Sequence, residues 1–257
     1  MGVINLTPDS FSDGGAYSTP AAAWAQIDNL ILHGAEIIDI GAESTRPGSI
    51  PVAPSIQVDR MTPILSEFKN RYSVALSIDT TSSTVAEFAL QSGADIINDI
   101  SALRFDPTLA ECVTRWNAIL VLNHSRSTPV TMQNDPHYDD VVAEVISELT
   151  ESVAIAKMHG VTKIIIDPGI GFGKTLNHNL EILRNLRQFE RLGYPIMVGT
   201  SRKSFIGIIT GENNTTRLAG TISSTLWAIN NGASIVRVHD IEEVSKAMNV
   251  WGRILQA

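Results

Sequence analysis

Short apolar runs that end in a polar residue recur along the chain, and this recurrence constrains the fold more than any other feature of the sequence. In the clearest case three isoleucines lead to Asp167, and Pro168 and the glycines of residues 169–173 follow. An uninterrupted β-branched run is typical of a strand buried on both faces of a parallel sheet. Proline cannot donate to the strand ladder, so it marks the strand end. We therefore predict that Asp167 lies where a buried strand meets a glycine-rich loop.

Other interpretations of this stretch fit less well. Residues 173–175 look like the end of a phosphate-binding P-loop, but Pro168 stands where that motif requires a glycine. The glycine spacing is GxGxG, whereas dinucleotide-binding loops have GxGxxG. Asp167 could instead cap the following helix, although a capping residue normally adjoins its helix and here the glycines intervene.

A repeated order of strand, loop and helix organises the whole chain. Glycines follow several of the helical patterns, as expected just beyond a helix C-terminus. Eight such units in 257 residues predict a single-domain (β/α)8 barrel, the TIM barrel. A doubly wound open sheet is the alternative, because periodicity does not reveal closure. The predicted strands are residues 3–7, 37–41, 75–79, 95–100, 119–123, 163–167, 195–199 and 234–239.

Composition limits the partners and the setting of the protein. The formal net charge of -8 argues against a nucleic-acid partner. No apolar run approaches the roughly 20 residues of a membrane span and no signal peptide opens the chain, so no membrane partner is expected. The single cysteine, Cys112, excludes an internal disulfide and a cysteine metal cluster, and it favours a cytoplasmic setting.

The residues that follow the predicted strands are polar on strand after strand. In a barrel these ends meet at one face, where barrel enzymes place their active sites, and phosphate often binds at the last two loops. Together with Arg46, cations at those loops can hold a multiply charged anion such as diphosphate. A surface salt bridge is the alternative for any single arginine. The late cations are Arg202, Lys203, Arg237 and His239.

Acids and amides form a second group of strand-end residues, namely Asp79, Asn98 and Asp167. An ionised carboxylate only accepts hydrogen bonds, whereas an amide both donates and accepts. The group therefore suits a neutral heterocycle with adjacent N–H donors. A network of helix caps and turns is the alternative.

Two predicted loops are long for connections between a strand and a helix, whose usual length is about 2–6 residues. Residues 8–16 and 44–54 are rich in residues that favour turns. Long loops at a barrel face commonly act as lids, so we predict that these loops cover the site. A disordered surface loop is the alternative.

Seven ordered segments at the strand ends resemble the dihydropteroate synthase family, and the resemblance spans nearly the whole chain. It implies a (β/α)8 barrel that pairs as a homodimer. It also implies that 6-hydroxymethyl-7,8-dihydropterin diphosphate is joined to 4-aminobenzoate, giving 7,8-dihydropteroate and diphosphate in folate biosynthesis. The segments are residues 5–15, 43–48, 77–80, 98–100, 167–174, 201–204 and 237–240.

The resemblance implies a role for each site residue. Asp79, Asn98 and Asp167 would bind the pterin edge. Lys203 would reach the pterin carbonyl and a ring nitrogen. Asn5 would ligate a Mg2+ that is bound to the substrate diphosphate, as expected for a hard oxygen ligand. The diphosphate would contact Thr45, Arg46, Arg237 and His239; the 4-aminobenzoate pocket would include Pro47, Phe172, Lys203 and Ser204; the mobile first loop would include Asp9, Phe11 and Asp13; the catalytic residues would be Lys203, Arg237, His239 and Asp79.

The implied chemistry needs a held leaving group and negative charge near a ring-stabilised pterin cation. The arylamine then attacks, so no enzyme nucleophile is required, which agrees with the lack of an obvious activated serine or cysteine arrangement in the sequence. There are three rival functions. A methyltetrahydrofolate-binding barrel holds no diphosphate, so the cations argue against it. Lys203 could form a Schiff base in an aldolase, and a pterin-binding homologue could lack synthase activity.

Three features depart from the family pattern. After the fifth strand, polar residues replace the usual Met-His-Met and glycine, which predicts weaker or altered pterin binding because a sulfur contact is lost. Ala42 replaces a common glycine. The barrel domain, residues 1–257, begins almost at Asn5 and lacks most of the family's N-terminal strand or hairpin. The residues after the fifth strand are Asn123, His124, Ser125 and Ser127.

Overall fold

The computed structural model describes residues 1–7, 19–212 and 217–256, and within these ranges the chain alternates strands with helices. The strands are β1 (Gly2–Asn5), β2 (Ile37–Gly41), β3 (Ala75–Asp79), β4 (Ile96–Asp99), β5 (Ile119–Asn123), β6 (Ile164–Asp167), β7 (Ile196–Val198) and β8 (Ala233–Val236). The α-helices are α1 (Pro20–Leu32), α2 (Pro54–Arg71), α3 (Ser83–Gln91), α4 (Leu109–Arg115), α5 (Val141–Met158), α6 (Leu176–Arg184), α7 (Ser204–Thr210), α8 (Leu218–Asn230) and α9 (Ile241–Leu255). A 3-10 helix, Leu186–Leu192, follows α6.

The sheet closes on itself. Its eight strands are parallel and hydrogen-bonded in chain order. The two edges also meet, since Gly2 in β1 pairs with Val238 just beyond β8 and the Val238 N–H donates to the Met1 carbonyl over 3.0 Å. This closure confirms the predicted (β/α)8 barrel, and the doubly wound open sheet is wrong.

Alternate residues of each strand pack on opposite sides of the barrel wall. One set, which includes Ile38, Leu76 and Leu120, joins the main core together with residues of the helices. The other set fills the barrel and forms a separate apolar cluster. Towards the carboxyl ends of the strands the inward-facing side chains become polar. These polar side chains form the polar floor of the pocket, and beneath it an apolar layer, the plug, fills the barrel. The plug consists of Met1, Ile96, Val121, Ile165 and Met197.

Most predicted strand bounds agree with the structure. The bounds of β2, β3 and β5 are those predicted, and the other strands differ by at most three residues at an end. The largest difference is at β8, which ends at Val236, so Arg237 and His239 lie on its connection to α9. The Arg237 N–H still donates to the Val198 carbonyl over 3.0 Å, which keeps this connection against β7. In the described parts of the chain, no helix is both long and apolar enough to cross a bilayer.

Candidate active site

Strand register brings the predicted polar residues to one end of the barrel interior. Asn5 pairs with Gly41, Gly41 with Asp79, and Asp79 with Asn98. On the next strand pair, Asp167 is in register with its neighbour on β5. Paired residues of parallel strands face the same side of the sheet, so these side chains share the inner face. The predicted meeting of strand-end residues at one barrel face is confirmed.

Three buried oxygen atoms at this face have no hydrogen-bond partner among the described residues, namely Asp79 Oδ1, Asn98 Oδ1 and Asn123 Oδ1. Asp79 is 6% exposed and Asn98 is 1% exposed. Buried polar atoms are normally hydrogen-bonded, so the lack of donors to these oxygens among the described residues needs an explanation. Burial raises the pKa of Asp79 to about 7, although Arg237 opposes the rise. The face is therefore suited to a ligand that donates hydrogen bonds, and its charge changes near neutral pH.

Arg237, just beyond β8, is hydrogen-bonded to two carboxylates of the barrel interior. Its Nε donates to Asp39 Oδ2 over 2.6 Å, and its Nη2 donates to Asp79 Oδ2 over 2.8 Å. Asp39 also accepts from Ser77 Oγ over 2.5 Å and from Asn98 Nδ2 over 3.3 Å. Burial lowers the pKa of Arg237, but the two carboxylates outweigh it and raise that pKa above its ordinary value. We refer to Asp39, Asp79, Asn98 and Arg237 as the acceptor arc.

Lys203 and Asp167 occupy the other side of the site. Asp167 is buried, and its Oδ1 accepts the Gly169 N–H over 2.7 Å. Lys203 Nζ donates to the Ile170 carbonyl and lies 4.6 Å from the centre of the Phe172 ring. Burial lowers the pKa of Lys203 to about 8, although Asp167 opposes the shift. Burial raises the pKa of Asp167, and Lys203 opposes that rise. Lys203 and Phe172, predicted for one pocket, are thus in contact.

Two glycines make the β6–α6 loop possible. Gly171 has a φ of +82°, and a Cβ there would lie 2.9 Å from Lys203 Cδ. Gly169 has a φ of +71°, and a Cβ there would lie 1.9 Å from the His124 carbonyl oxygen. Both the positive φ and the close approach require glycine. Gly171 therefore leaves room for the Lys203 side chain beside the loop, and Gly169 lets the loop backbone lie against the end of β5.

The helix after this loop is capped by Thr175. The Thr175 side chain accepts the His178 N–H, and the His178 side chain accepts the Thr175 N–H, which is a capping box. The alternative that Asp167 caps this helix is therefore wrong, because its Oδ1 binds the turn at Gly169.

His239 lies beside Arg237 at the end of β8. Its Nδ1 is 3.0 Å from Ser201 Oγ, and its backbone N–H donates to the same oxygen over 3.1 Å. Burial, followed by the charges of Arg237 and Arg202, lowers the pKa of His239 to about 3. The imidazole is thus neutral at pH 7. Arg202 itself, predicted among the site cations, forms an ion pair with Asp240.

The β2–α2 loop is tied at two points. Glu43 Oε1 accepts the Val52 N–H, and the Gly48 N–H donates to the Pro129 carbonyl over 2.8 Å. The charge of Arg46 contributes to the low pKa of His239, so this loop reaches towards the site from β2. Of the predicted residues here, Thr45 is half-buried, and Arg46 and Pro47 are exposed.

Asn5 is the predicted metal ligand. It is half-buried at the end of β1, and a Cβ on Gly41 would lie 3.6 Å from its Oδ1. Among the residues that the structure describes, no group of three or more His, Cys, Asp or Glu is placed to hold a metal. A single protein oxygen fits a Mg2+ that takes its other ligands from substrate phosphate and water. The donor set thus fits a substrate-borne Mg2+ and does not fit an all-protein metal site.

The remaining predicted residues have mixed outcomes. Ser204 is exposed at the first residue of α7, after Lys203. Asp9, Phe11 and Asp13 lie outside the described residues. Their predicted place in a lid therefore stays a prediction.

A second buried polar cluster lies behind the ends of β5 and β6. Lys174 Nζ contacts His124 Nδ1 at 2.9 Å and donates to the Phe172 carbonyl over 3.0 Å. His124 Nε2 lies 3.0 Å from Glu148 Oε2, and Glu148 Oε1 accepts from Arg126 Nε over 2.8 Å. Burial and the Lys174 charge lower the pKa of His124 to about 3, so the neutral ring accepts at Nδ1 and donates at Nε2. We refer to Lys174, His124, Glu148 and Arg126 as the Lys174 cluster.

The residues that depart from the family pattern differ in their position relative to the Lys174 cluster. His124 belongs to it, and Ser125 Oγ donates to the Ser127 carbonyl over 2.7 Å. Asn123 faces the barrel interior beside Asp167, and its buried Oδ1 has no partner among the described residues. Asn123 is therefore the departure placed to affect a ligand. Ala42 is fully buried, as expected of a packing residue.

Sequence reasoning missed Asp39, Lys174 and Glu148. Asp39 had a usable signal, since a carboxylate in the middle of the buried run IIDIG needs a buried partner. Lys174 stands in the incomplete P-loop pattern and in the segment 167–174, and neither predicts a buried partner for it. Glu148 lies within the helical pattern of α5, and nothing in that pattern separates it from a surface glutamate.

Comparisons with known proteins identify the family of the chain. A family model described as pterin binding enzyme matches residues 1–239. The dihydropteroate synthase of Synechocystis sp. is 43% identical over 253 residues, which are 97% of this chain and 88% of that protein. The Clostridium difficile dihydropteroate synthase, solved in the presence of pteroic acid, has a TM-score of 0.92 at 38% identity and covers 100% of this chain and 96% of its own. The Xanthomonas albilineans dihydropteroate synthase with 4-aminobenzoic acid has a TM-score of 0.93 at 39% identity, with coverage of 100% and 93%.

Fold and site together define a barrel enzyme whose pocket combines buried hydrogen-bond acceptors with cations at the carboxyl ends of the strands. The chain belongs to the pterin binding enzyme family, and its relatives there are dihydropteroate synthases, which are transferases.

Proposed function

We propose that the protein acts as a dihydropteroate synthase, joining 6-hydroxymethyl-7,8-dihydropterin diphosphate to 4-aminobenzoate with release of diphosphate. One observation carries the proposal: Asp79 Oδ1 and Asn98 Oδ1 are buried acceptors at the barrel face that no described residue pairs. A pterin carries adjacent N–H donors that such acceptors bind. The relatives solved with pteroic acid and with 4-aminobenzoic acid support the same substrates.

In this proposal the pterin lies across the polar floor. Asp79, Asn98 and Asp167 accept its N–H groups, and Lys203 donates to its carbonyl and a ring nitrogen. The low pKa of Lys203, about 8, reflects burial and leaves the amine protonated at neutral pH. The acceptors of the site then meet the N–H groups of the pterin, and the Lys203 donor meets its carbonyl oxygen and ring nitrogen. This complementarity fixes the orientation of the ring.

The diphosphate lies towards the loops after β2, β7 and β8. Arg46 and Arg237 supply charge, Thr45 supplies a hydroxyl, and His239 supplies a ring nitrogen. A bound anion favours the protonated form of His239, whose pKa is about 3 without it, so proton uptake on diphosphate binding is expected to increase as the pH falls. Calorimetry in buffers of different ionisation enthalpy measures that uptake.

The reaction needs no enzyme nucleophile. The C–O bond of the pterin methylene breaks, and its electron pair leaves with diphosphate. The resulting cation is delocalised into the pterin ring and lies near the carboxylates of Asp79 and Asp167, which stabilise it electrostatically. The nitrogen lone pair of 4-aminobenzoate then forms the C–N bond and the ammonium releases a proton to solvent. Pro47, Phe172, Lys203 and Ser204 form the pocket for the arylamine.

Mg2+ is the proposed metal. Asn5 Oδ1 would hold it, and the metal, when bound, would neutralise charge on the leaving diphosphate. The experiment is to titrate Mg2+ against wild type and Asn5→Ala at fixed substrate. We expect the variant to need at least about tenfold more Mg2+, as for the loss of one ligand.

We further propose that the protein forms a homodimer in the cytoplasm. Helices α7 to α9 expose large apolar side chains, and such side chains in number favour a protein contact. Light scattering after gel filtration is expected to give a mass near twice 27.8 kDa. The mass of one chain would contradict the dimer. The exposed side chains include Ile208, Ile209, Trp227, Val250 and Ile254.

The test of the function is diphosphate release from the dihydropterin diphosphate, with and without 4-aminobenzoate. Release that requires the arylamine and matches the dihydropteroate formed is the expected result. Pterin binding without turnover would instead favour a binding homologue, and Asn123→Met is then the first reversion to make. Trapping of a substrate carbonyl on Lys203 by borohydride would favour an aldolase.

A further inference from the structure

Asp39 joins two site residues through one oxygen atom. Asp39 Oδ2 accepts from Arg237 Nε over 2.6 Å and from Asn98 Nδ2 over 3.3 Å. The other carboxylate oxygen accepts from Ser77 Oγ. Asp39 is 0% exposed and lies below the strand ends, in register with Ser77, so it does not itself face a ligand at the open end of the barrel.

This contact determines which way the Asn98 amide points. An ionised carboxylate accepts and does not donate. The amide must therefore turn Nδ2 towards Asp39, because the reverse orientation would place two acceptors against each other. Asn98 Oδ1 is then directed to the site, where it has no partner among the described residues.

The same contact fixes the Arg237 guanidinium. Nε is held by Asp39 and Nη2 by Asp79, so the planar group has two anchors on β2 and β3. Two anchors at different donors remove rotational freedom, as in other forked arginine pairs. Asp39 thus holds two members of the acceptor arc, Asn98 and Arg237, in position.

We propose that Asp39 is a positioning residue that sets the specificity of the pterin subsite, by presenting Asn98 as an acceptor and holding Arg237 beside Asp79. This inference rests on the proposed function, since it names the part of the pterin that the site selects. It predicts that a heterocycle with an amino donor is selected over the same ring with a carbonyl acceptor at that place.

The charge of Asp39 has a second, separable effect on Asp79. Asp39 is among the charges that raise the pKa of Asp79, after burial, while Arg237 lowers it. Removal of that charge while its hydrogen bonds are kept is therefore expected to lower the pH at which Asp79 loses its proton. The charged groups that act on Asp79 are Arg237, Asp39, Glu43 and Asp99, and Lys203 lies on the opposite wall.

Two substitutions separate these effects. In Asp39→Asn the amide oxygen must face Arg237 and Asn98, because both are donors there, and Ser77 can accept from the new NH2 group. In Asp39→Leu the branching of the side chain is kept, with larger methyl groups in place of the oxygens, and the hydrogen bonds from Arg237, Asn98 and Ser77 are all lost. The measurement is the ratio of affinities for pterin and lumazine, its 2-oxo analogue, by fluorescence titration.

We expect wild type and Asp39→Asn to prefer pterin by at least about 100-fold, and the preference of Asp39→Leu to fall at least about tenfold. In Asp39→Asn the pH midpoint of pterin binding is expected to fall by roughly 1 unit. Asp99→Asn is the control for the affinity ratio and not for the pH midpoint, because Asp99 is also buried and also raises the pKa of Asp79, but binds its own turn at Ser101 and Leu103. It is expected to keep the wild-type ratio.

A folded Asp39→Leu that keeps the wild-type ratio overturns the orienting role. An Asp39→Asn that loses the ratio also overturns it, because its hydrogen bonds are retained. Where Asp39→Leu does not fold, an unshifted pH midpoint in Asp39→Asn overturns the coupling to Asp79. Failure of the proposed function is distinguishable, since it appears in wild type as no pterin binding and no dihydropteroate.

Discussion

The acceptor arc and the Lys174 cluster are both buried, polar and close to the carboxyl ends of the strands, yet they differ in how fully their atoms are paired. Lys174 Nζ has three acceptors, His124 uses both ring nitrogens, and both oxygens of Glu148 accept from arginines. In the acceptor arc, one oxygen each of Asp79 and Asn98 has no partner among the described residues. A satisfied network stabilises a fold, whereas an unsatisfied one is ready for a ligand.

Two carboxylates show the same difference in their pKa values. Burial favours the protonated form of both Glu148 and Asp79. For Glu148, hydrogen bonds from His124 and Arg126 outweigh burial and lower the pKa to about 2. For Asp79, burial outweighs Arg237 and the pKa rises to about 7. The carboxylate left short of donors is the one placed to receive them from a substrate.

The largest effect is expected for Asp79→Ala. It removes a charged acceptor from the ligand but leaves Arg237 paired with Asp39. Loss of a charged hydrogen bond in a buried site weakens binding by about 100- to 1000-fold. The thermal midpoint is expected to change little, because burial of the carboxylate is also removed. Calorimetric titration with pterin and a thermal melt check both parts, and retained affinity would break the contrast between the two clusters.

Lys174→Met is expected to show the reverse pattern. It leaves His124 Nδ1 and the Phe172 carbonyl without their donor, at about 1–3 kcal/mol for each unpaired buried group. For a domain of this size, about 3 kcal/mol lowers the thermal midpoint by about 6–12 °C. Lys163→Met is the matched control, because Lys163 Nζ also donates to a carbonyl, that of Asn117, but on the surface. An equal loss in both variants would remove the special role of the Lys174 cluster.

The fold was predictable because a strand that is buried on both faces consists of an uninterrupted apolar run, as in residues 164–166. Closure was not visible in periodicity, since it depends on the pairing of Gly2 with Val238. Asp79, Asn98 and Asp167 were predictable because they stand at strand ends.

Asp39 and the Lys174 cluster were harder to predict for a different reason. Asp39 stands within a strand, where its partner Arg237 is 198 positions away in sequence. Lys174 meets His124 across 50 positions, and the pairing of β5 with β6 brings the two together. Pairing of this kind is a property of tertiary structure, so a single sequence contains the residues without their partners.

The pH dependence of stability is expected to have opposite slopes for the two clusters. Asp79 has a folded pKa of about 7 against 3.8 ordinarily, so the folded state binds more protons between these values. Its contribution therefore lowers stability as pH rises through that window. Lys174 has a folded pKa of about 7 against 10.5, so the unfolded state binds more protons and stability rises with pH through that window.

Urea unfolding of wild type, Asp79→Asn and Lys174→Met at successive pH values checks this prediction. The difference between wild type and Asp79→Asn is expected to fall from pH 4 to 7, and that between wild type and Lys174→Met to rise from pH 7 to 10. Each slope approaches at most about 1.4 kcal/mol per pH unit. Slopes of the same sign would show that the two clusters do not differ in the way their pairing implies.

The smallest effect is expected for Tyr138→Phe, which probes the edge of the Lys174 cluster. The buried hydroxyl donates to the Gly173 carbonyl over 3.2 Å, and Arg126 lies 3.9 Å above the ring. Phenylalanine keeps the ring and its contact with Arg126, so the loss is one hydrogen bond, about 1 kcal/mol or about 2–4 °C in thermal midpoint. Pterin affinity is expected to stay unchanged, because neither Tyr138 nor the Gly173 carbonyl belongs to the acceptor arc. A weakening of pterin binding beyond about threefold would mean that the β6–α6 loop transmits small changes from the Lys174 cluster to the ligand. The Lys174 cluster could then no longer be treated as a purely structural network, distinct from the ligand-binding acceptor arc.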